Sequence, residues 1–342
     1  MKSLSWTVEI RARVNARLQA FFAEKRRIVS RLAPPSCELI DEIADLTLRG
    51  GKRLRPITLF VGFRSASPEG DPEDTLEASI ALELLQTYLL IHDDWMDQDE
   101  RRRNGPTIHA KLEKIRGNKH LGGCLSVVAG DLACGYAWEA INQAPFRQER
   151  KREALQEFAT MHQDIVLGQH LDLISHQEIE RMYDLKSGSY TVRGPLKLGA
   201  ILGDATREQL EILNDLSRPI GIAFQLRDDL LSAFGKGEKL GKPVGNDLRA
   251  GKHTLLVSEA MKLMSAGQKR AFERVLGNKE ATDDDVAQAL GLLVDCGAKQ
   301  TIEQRIGALS QEARQRISES PLSPQGVALL LQLIDLMLAR DY

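Results

Sequence analysis

Residues 84–103, LLQTYLLIHDDWMDQDERRR, run from a greasy stretch into five acids within eight residues (Asp93, Asp94, Asp97, Asp99, Glu100) and then into Arg101, Arg102 and Arg103. Apolar residues at three- and four-residue steps over 75–98 predict an amphipathic helix. On that helix Asp93, Asp94 and Asp97 fall on one patch about a turn long. Carboxylates at this spacing repel one another, and near a helix C-terminus they also meet the negative end of the macrodipole. A divalent cation removes both penalties. Oxygen donors without His or Cys at ligand spacing suit Mg2+, which takes one or two carboxylates and completes its octahedron with water and phosphate oxygens. An EF-hand is excluded, because no glycine sits mid-run. The competing interpretation is a solvated acidic helix end.

The same helical period recurs over 6–32, 150–175, 206–232, 253–274 and 324–340, and strand alternation is almost absent, so the chain is expected to be all-α. Breakers cluster in short segments, SPEGDPED (67–74), RRNGPT (102–107), FGKGEKLGKPVGND (234–247) and SESPLSP (318–324). None is long enough for a flexible linker, so one helical domain over 1–342 is expected although 342 residues would admit two. A net charge of -2 argues against nucleic acid as a partner. No uncharged apolar run approaches the ~18 residues of a membrane span, and the charged N-terminus does not read as a signal peptide. An integral membrane protein is therefore not expected. Val327–Leu331 is expected to be core or a subunit contact. Cys37, Cys124, Cys134 and Cys296 form no CxxC pair, which fits reduced, buried thiols and a cytoplasmic location.

A second acid cluster strengthens the first. In FQLRDDLLS (224–232) Asp228 and Asp229 again follow an apolar helical run, and Gln225 shares a face with Asp228. Three basic stretches supply the complement. GGKRLRP (50–56) sets Lys52, Arg53 and Arg55 at a tight turn before a helix whose first position is expected at Pro56; it lacks the P-loop pattern. The second stretch is Arg101–Arg103, and the third comprises Lys236, Lys239, Lys242, Arg249 and Lys252 around the second acid cluster. Taken singly, each is a solvated face. Together they describe phosphates held by magnesium and by cations, with apolar helices nearby for a hydrocarbon tail.

As an ordered set, GGKRLRP, LLIHDDWMDQDERRRNGPTIH (89–109), GQHLD (168–172), Lys186-Ser187 and FQLRDD followed by GKPVGNDLRAGKHTLL (241–256) closely resemble the trans-isoprenyl diphosphate synthases, the polyprenyl synthetase family. The resemblance covers about residues 40 to 260. It implies an all-α isoprenoid synthase bundle around a deep central cavity, usually a homodimer. It also implies head-to-tail prenyl transfer, in which an allylic diphosphate ionises with Mg2+ help, three ions per site, and isopentenyl diphosphate attacks the cation. By the same resemblance, Asp93, Asp94, Asp97 and Asp228 form the metal set. Arg102, Lys186, Gln169, Lys242 and Lys252 serve the allylic diphosphate, with Asp172 in support, and Lys52, Arg55, Gln86 and Arg103 serve isopentenyl diphosphate. Gln225 and the Ser187 region face the allylic cation. The released diphosphate takes the proton, so no protein base is implied.

Ser232 stands where many members carry a third aspartate, and KSGSYT replaces a threonine after Lys186. Loss of the third aspartate at Ser232 is expected to weaken support of the metal site without abolishing catalysis, because the first aspartate is the one the resemblance assigns to the metal. Tyr88, five residues before Asp93, occupies the family's chain-length position; its bulk implies a short product, with geranylgeranyl diphosphate expected and farnesyl diphosphate the alternative. Ideal-helix arithmetic swings Tyr88 about 140° from Asp93, so its pointing into the pocket comes from the resemblance alone. His92 and His109 are expected in core or hydrogen-bonding roles. A class I terpene cyclase, an HD-type phosphohydrolase and a non-catalytic partner subunit fit these residues less well.

Overall fold

The computed structural model describes residues 4–235 and 245–338. The chain folds into α1 (Ser5–Leu32), α2 (Cys37–Leu48), α3 (Leu54–Ala66) and α4 (Leu76–Met96), then a hairpin of β1 (Arg101–Arg102) and β2 (Gly105–Pro106). After it come α5 (Ile108–Arg116), α6 (Lys119–Gln143), α7 (Gln148–Leu173), α8 (Ile179–Tyr183), a π-helical segment Asp184–Arg193, α9 (Gly194–Leu202) and α10 (Arg207–Phe234). The remaining helices are α11 (Asn246–Arg249), α12 (Leu255–Leu263), α13 (Ala266–Glu273), α14 (Asp283–Asp295), α15 (Ala298–Ser318) and α16 (Pro324–Leu338).

The long helices lie where the period predicts them. α4 is buried on every side from Ala78 to Thr87, which makes it the central helix. α6 packs along α4, α9 packs on α3, and the π-helical segment sits between α7 and α10. Glycines set that last placement. A Cβ at Gly168 of α7 would lie 2.4 Å from the Lys186 backbone nitrogen, and one at Gly221 of α10 would lie 2.7 Å from the Gly188 Cα. Only hydrogen at both positions lets Lys186 and Ser187 come so close to the flanking helices.

Several expectations need correction. The stretch 253–274 is two helices: Met264 leaves the helix with ψ 141°, and Ser265 starts α13 with a reciprocal cap to Gln268. α3 begins at Leu54 rather than Pro56, because Arg53 takes left-handed φ of 49° after Gly50 and Gly51, at φ 101° and 121°. None of the cysteines is buried: Cys124 is exposed and the other three are half-buried, all as free thiols. α6 is the one helix among the described residues long and apolar enough to cross a membrane, with mean hydropathy 1.2 and 44% of that window buried in the protein; Asp131 and Glu139 interrupt its apolar run. Within α16, Leu330, Leu333, Ile334, Met337 and Leu338 join the core.

Candidate active site

The first acid cluster starts in the last turn of α4, with Asp93 and Asp94, and continues past the helix end at Met96. Asp94 faces inward at 1% exposure and receives the Arg102 guanidinium, whose Nε donates to Oδ1 at 2.7 Å; Asp93 and Asp99 lie at 3.6 and 3.5 Å from the same group. Burial alone would lower the Arg102 pKa, but Asp94, then Asp93 and Asp99, raise it on balance. The hairpin explains why three consecutive arginines point three ways. Arg103 and Asn104, at φ 52° and 61°, make the tight turn that two-residue hairpins favour, and Arg49 holds it by donating to the carbonyls of Arg102 and Pro106. Arg101 is left exposed. Arg103 turns back to donate to the carbonyls of Leu46 and Thr47 at 2.9 and 3.3 Å, and burial pushes its pKa down to about 10.

Across a cavity of about 530 Å³, α10 presents Gln225 and Asp228 toward Asp93, with Lys52, Arg55, Gln86, Arg102 and Arg103 on the same lining. Arg55 lies 3.9 Å from the Tyr190 ring centroid, a cation–π contact, and donates to Thr191 Oγ1 at 2.9 Å. The buried Gln86 carries an Oε1 with no hydrogen-bond partner; a half-turn of that amide would present a donor instead. Arg53, by contrast, is structural. Its guanidinium pairs with Glu83 and donates to Asn15 Oδ1 and to the Thr47 carbonyl at 2.9 and 2.8 Å. Arg53 borders the cavity together with Lys52 and Arg55, but its guanidinium is held by Glu83, Asn15 and Thr47.

Lysines reach the acids from the far side. Lys186 Nζ lies 2.5 Å from Asp172 and 3.5 Å from Asp93, while Lys252 Nζ donates to Asp97 at 2.7 Å. The Asp97 carboxyl is raised above its usual range, first by burial and then by Asp93, with Lys252 opposing. Ser232 does not leave a gap: its hydroxyl donates to Asp247 at 2.5 Å, so a carboxylate returns to this neighbourhood from the start of α11. Lys242, like Lys236 and Lys239, lies outside the described residues. Arg249 turns to the Ala281 carbonyl at 3.0 Å and to Asp283 at 2.5 Å.

The second aspartate of the α10 pair takes a part that motif reading did not foresee. Asp229 is buried; Tyr183 donates to its Oδ2, and Gln225 Nε2 donates to its Oδ1 at 2.9 Å. Ser187 donates to Gln225 Oε1, and the Leu255 amide donates to the Tyr183 oxygen at 3.0 Å. This chain fixes which way the Gln225 amide faces. Burial pushes the Asp229 carboxyl up to about 7. Tyr183 offered no signal in the sequence, because it lies 46 residues from Asp229.

An apolar pocket of about 270 Å³ adjoins the polar cavity, and Leu90, Asp93 and Tyr190 line both. Tyr88 and Gln169 line it as well, and Gln169 makes a long 3.9 Å contact to Met96 Sδ. The pocket flanks α4 along α7, so Asp93 and Tyr88 both border it despite the angle between them on an ideal helix. His92 bonds the Val127 carbonyl at 3.1 Å through Nε2. The donor set suits a hard cation shared with phosphate. The acids facing the cavity offer oxygen alone, and among the described residues no three of His, Cys, Asp or Glu converge to enclose a metal by themselves.

Comparison with known proteins gives this arrangement a family. The Polyprenyl synthetase profile matches residues 37–293. A geranylgeranyl diphosphate synthase of Methanosarcina mazei is 31% identical over 300 residues, covering 86% of this chain and 87% of the relative. A geranylfarnesyl diphosphate synthase of Aeropyrum pernix is 31% identical over 302 residues, covering 85% and 91%. A crystal structure of geranylgeranyl pyrophosphate synthase from Corynebacterium glutamicum, complexed with isoprenyl diphosphate and magnesium, superposes with a TM-score of 0.91 at 28% identity, covering 97% of this chain and 99% of that one. With the family profile spanning most of the chain and two acid-bearing helices facing one cavity, the chain belongs to the polyprenyl synthetase family, as a short-chain prenyltransferase.

Proposed function

We propose that the chain condenses isopentenyl diphosphate head-to-tail with an allylic diphosphate and that geranylgeranyl diphosphate is its main product. One observation carries the proposal: the polar cavity between Asp93 and Asp228 meets an apolar pocket at Asp93, so a charged head and a hydrocarbon tail have adjoining places.

Mg2+, three ions in the full site, would be held by Asp93 on α4, by Asp97 just past its end and by Asp228 on α10, and when bound it supplies Lewis-acid neutralisation of the charge that grows on the departing diphosphate. Asp94 sits among these acids but faces Arg102; its part is to aim that guanidinium. Arg102, Lys186 and Lys252 border the acids and bind the allylic diphosphate, with Lys242 as a further candidate. Lys52, Arg55 and Arg103 hold isopentenyl diphosphate, and the unsatisfied amide of Gln86 orients it. Gln225, locked by Ser187 and Asp229, turns its amide dipole toward the allylic carbon as positive charge develops there. Gln169, at the border of the apolar pocket, is a further candidate for the allylic diphosphate, and Tyr88 limits how far the growing tail advances. The proton leaves with the released diphosphate, so no side chain acts as base.

A homodimer in the cytoplasm completes the proposal. Exposed Leu121 and Val128 on α6, with Val166 and Leu167 on α7, support pairing, and four free thiols support a reducing location. The test is incubation with labelled isopentenyl diphosphate and dimethylallyl diphosphate, with and without Mg2+, followed by chromatography of the dephosphorylated products. A Mg2+-dependent twenty-carbon alcohol is expected. A fifteen-carbon product would make the enzyme a farnesyl diphosphate synthase, and products of thirty carbons or more would refute the short-chain assignment.

A further inference from the structure

Tyr88 does not close the apolar pocket alone. Its ring meets His162 of α7 edge-on, centroids 5.4 Å apart and planes at 82°. His162 in turn lies 6.4 Å from Trp138 of α6, which packs edge-on against Phe158 at 4.9 Å. Neither His162, Trp138 nor Phe158 borders the pocket, so Tyr88 is the layer that separates them from it. Along α7, Gln169, Ile165, His162 and Phe158 follow four-, three- and four-residue steps and therefore share one face. The first two line the pocket and the next two continue past Tyr88. That face extends the pocket's course. Behind His162, Phe158 is fully buried and resists displacement as densely packed interiors do, and the half-buried Trp138 packs on it. Burial also lowers the His162 pKa, which leaves a neutral ring that an apolar tail can meet.

We propose that His162 is a second chain-length stop, set behind Tyr88 and braced by Trp138 and Phe158. Removing the Tyr88 ring opens the space of one aromatic side chain, and the next isoprene unit then runs into the imidazole. The inference rests on the apolar pocket being the product-tail site.

Product lengths from dimethylallyl diphosphate and labelled isopentenyl diphosphate test it in Tyr88→Ala, His162→Ala, the double variant, and Tyr88→Ala with His162→Phe. The rate of the first condensation checks that each variant folds. The main product is expected to grow by one isoprene unit in Tyr88→Ala and by two or more in the double variant. It should stay at the parent length in His162→Ala and return to the Tyr88→Ala length when phenylalanine stands at 162. If Tyr88→Ala alone already matches the double variant, or if His162→Ala alone does, the second stop is overturned while the tail pocket stands. If no variant alters product length, the tail pocket itself is refuted. Tyr88→Ala with His162→Val gives the same discrimination should the double alanine variant fail to fold.

Discussion

Replacing Arg102 with alanine isolates the buried charge at the heart of the first acid cluster. The Asp94 side chain is 2% exposed and the Arg102 side chain 19%, so the variant leaves a carboxylate in the protein interior without the guanidinium that compensates it. Breaking a buried pair from one side costs ~3–5 kcal/mol. Because Arg102 retains some solvent contact, water can partly reach the gap, and a loss near the low end, about 3 kcal/mol, is expected. Adding Asp94→Asn removes the stranded charge, so the double variant should lose only about 1–2 kcal/mol, less than Arg102→Ala alone. Urea unfolding at neutral pH measures both, with an unchanged slope confirming that stability and not cooperativity has moved. If Arg102→Ala stays within about 1 kcal/mol of the parent, or if the two losses simply add, the pair is not the buried compensation described here.

Tyr183→Phe should release Asp229 and with it the Gln225 amide. Steady-state kinetics should show kcat falling about tenfold, the worth of one hydrogen bond to a charged group, with little change in KM for isopentenyl diphosphate. The Asp229 carboxyl, raised to about 7 by burial, contributes stability that is complete below the ordinary carboxylate range and is lost as pH rises through about 7. Asp229→Asn should therefore flatten the melting temperature between pH 4 and 8, and an unaltered pH slope would deny that Asp229 titrates there. Since the chain encloses no metal by itself among the described residues, Mg2+ alone should hardly raise the melting temperature, whereas Mg2+ with inorganic pyrophosphate should raise it clearly, as a ligand bound only to the native state does. Strong stabilisation by Mg2+ alone would contradict a site completed by phosphate oxygens.

Much of this architecture is legible in the amino-acid order, because helical period and aspartate spacing are local. α1, α4, α7 and α10 announce themselves by apolar spacing, and the two acid clusters by charge. What stays hidden depends on contacts between distant residues. Nothing near Arg53 says that it pairs with Glu83, 30 residues on, rather than facing phosphate. The hairpin of Arg101–Pro106 is too short to show alternation, yet it decides where Arg102 and Arg103 point. Ser232 reads as a loss in the motif but finds a carboxylate 15 residues later. Tyr183 and His162 carry no motif at all; their neighbours lie on other helices, Asp229 and Leu255 for Tyr183, Tyr88 and Trp138 for His162. The break at Met264 was marked by Ser265 and Gln268, a capping pair that apolar period alone overlooks.

Crystals grown with Mn2+ in place of Mg2+ and a non-hydrolysable allylic diphosphate analogue offer the most direct test. Anomalous scattering at the manganese edge should place metal between the analogue's phosphates and Asp93 with Asp97 on one side, and Asp228 on the other, with the hydrocarbon running toward Tyr88. Metal peaks away from these carboxylates, or a tail directed elsewhere than the pocket beside α7, would contradict the account.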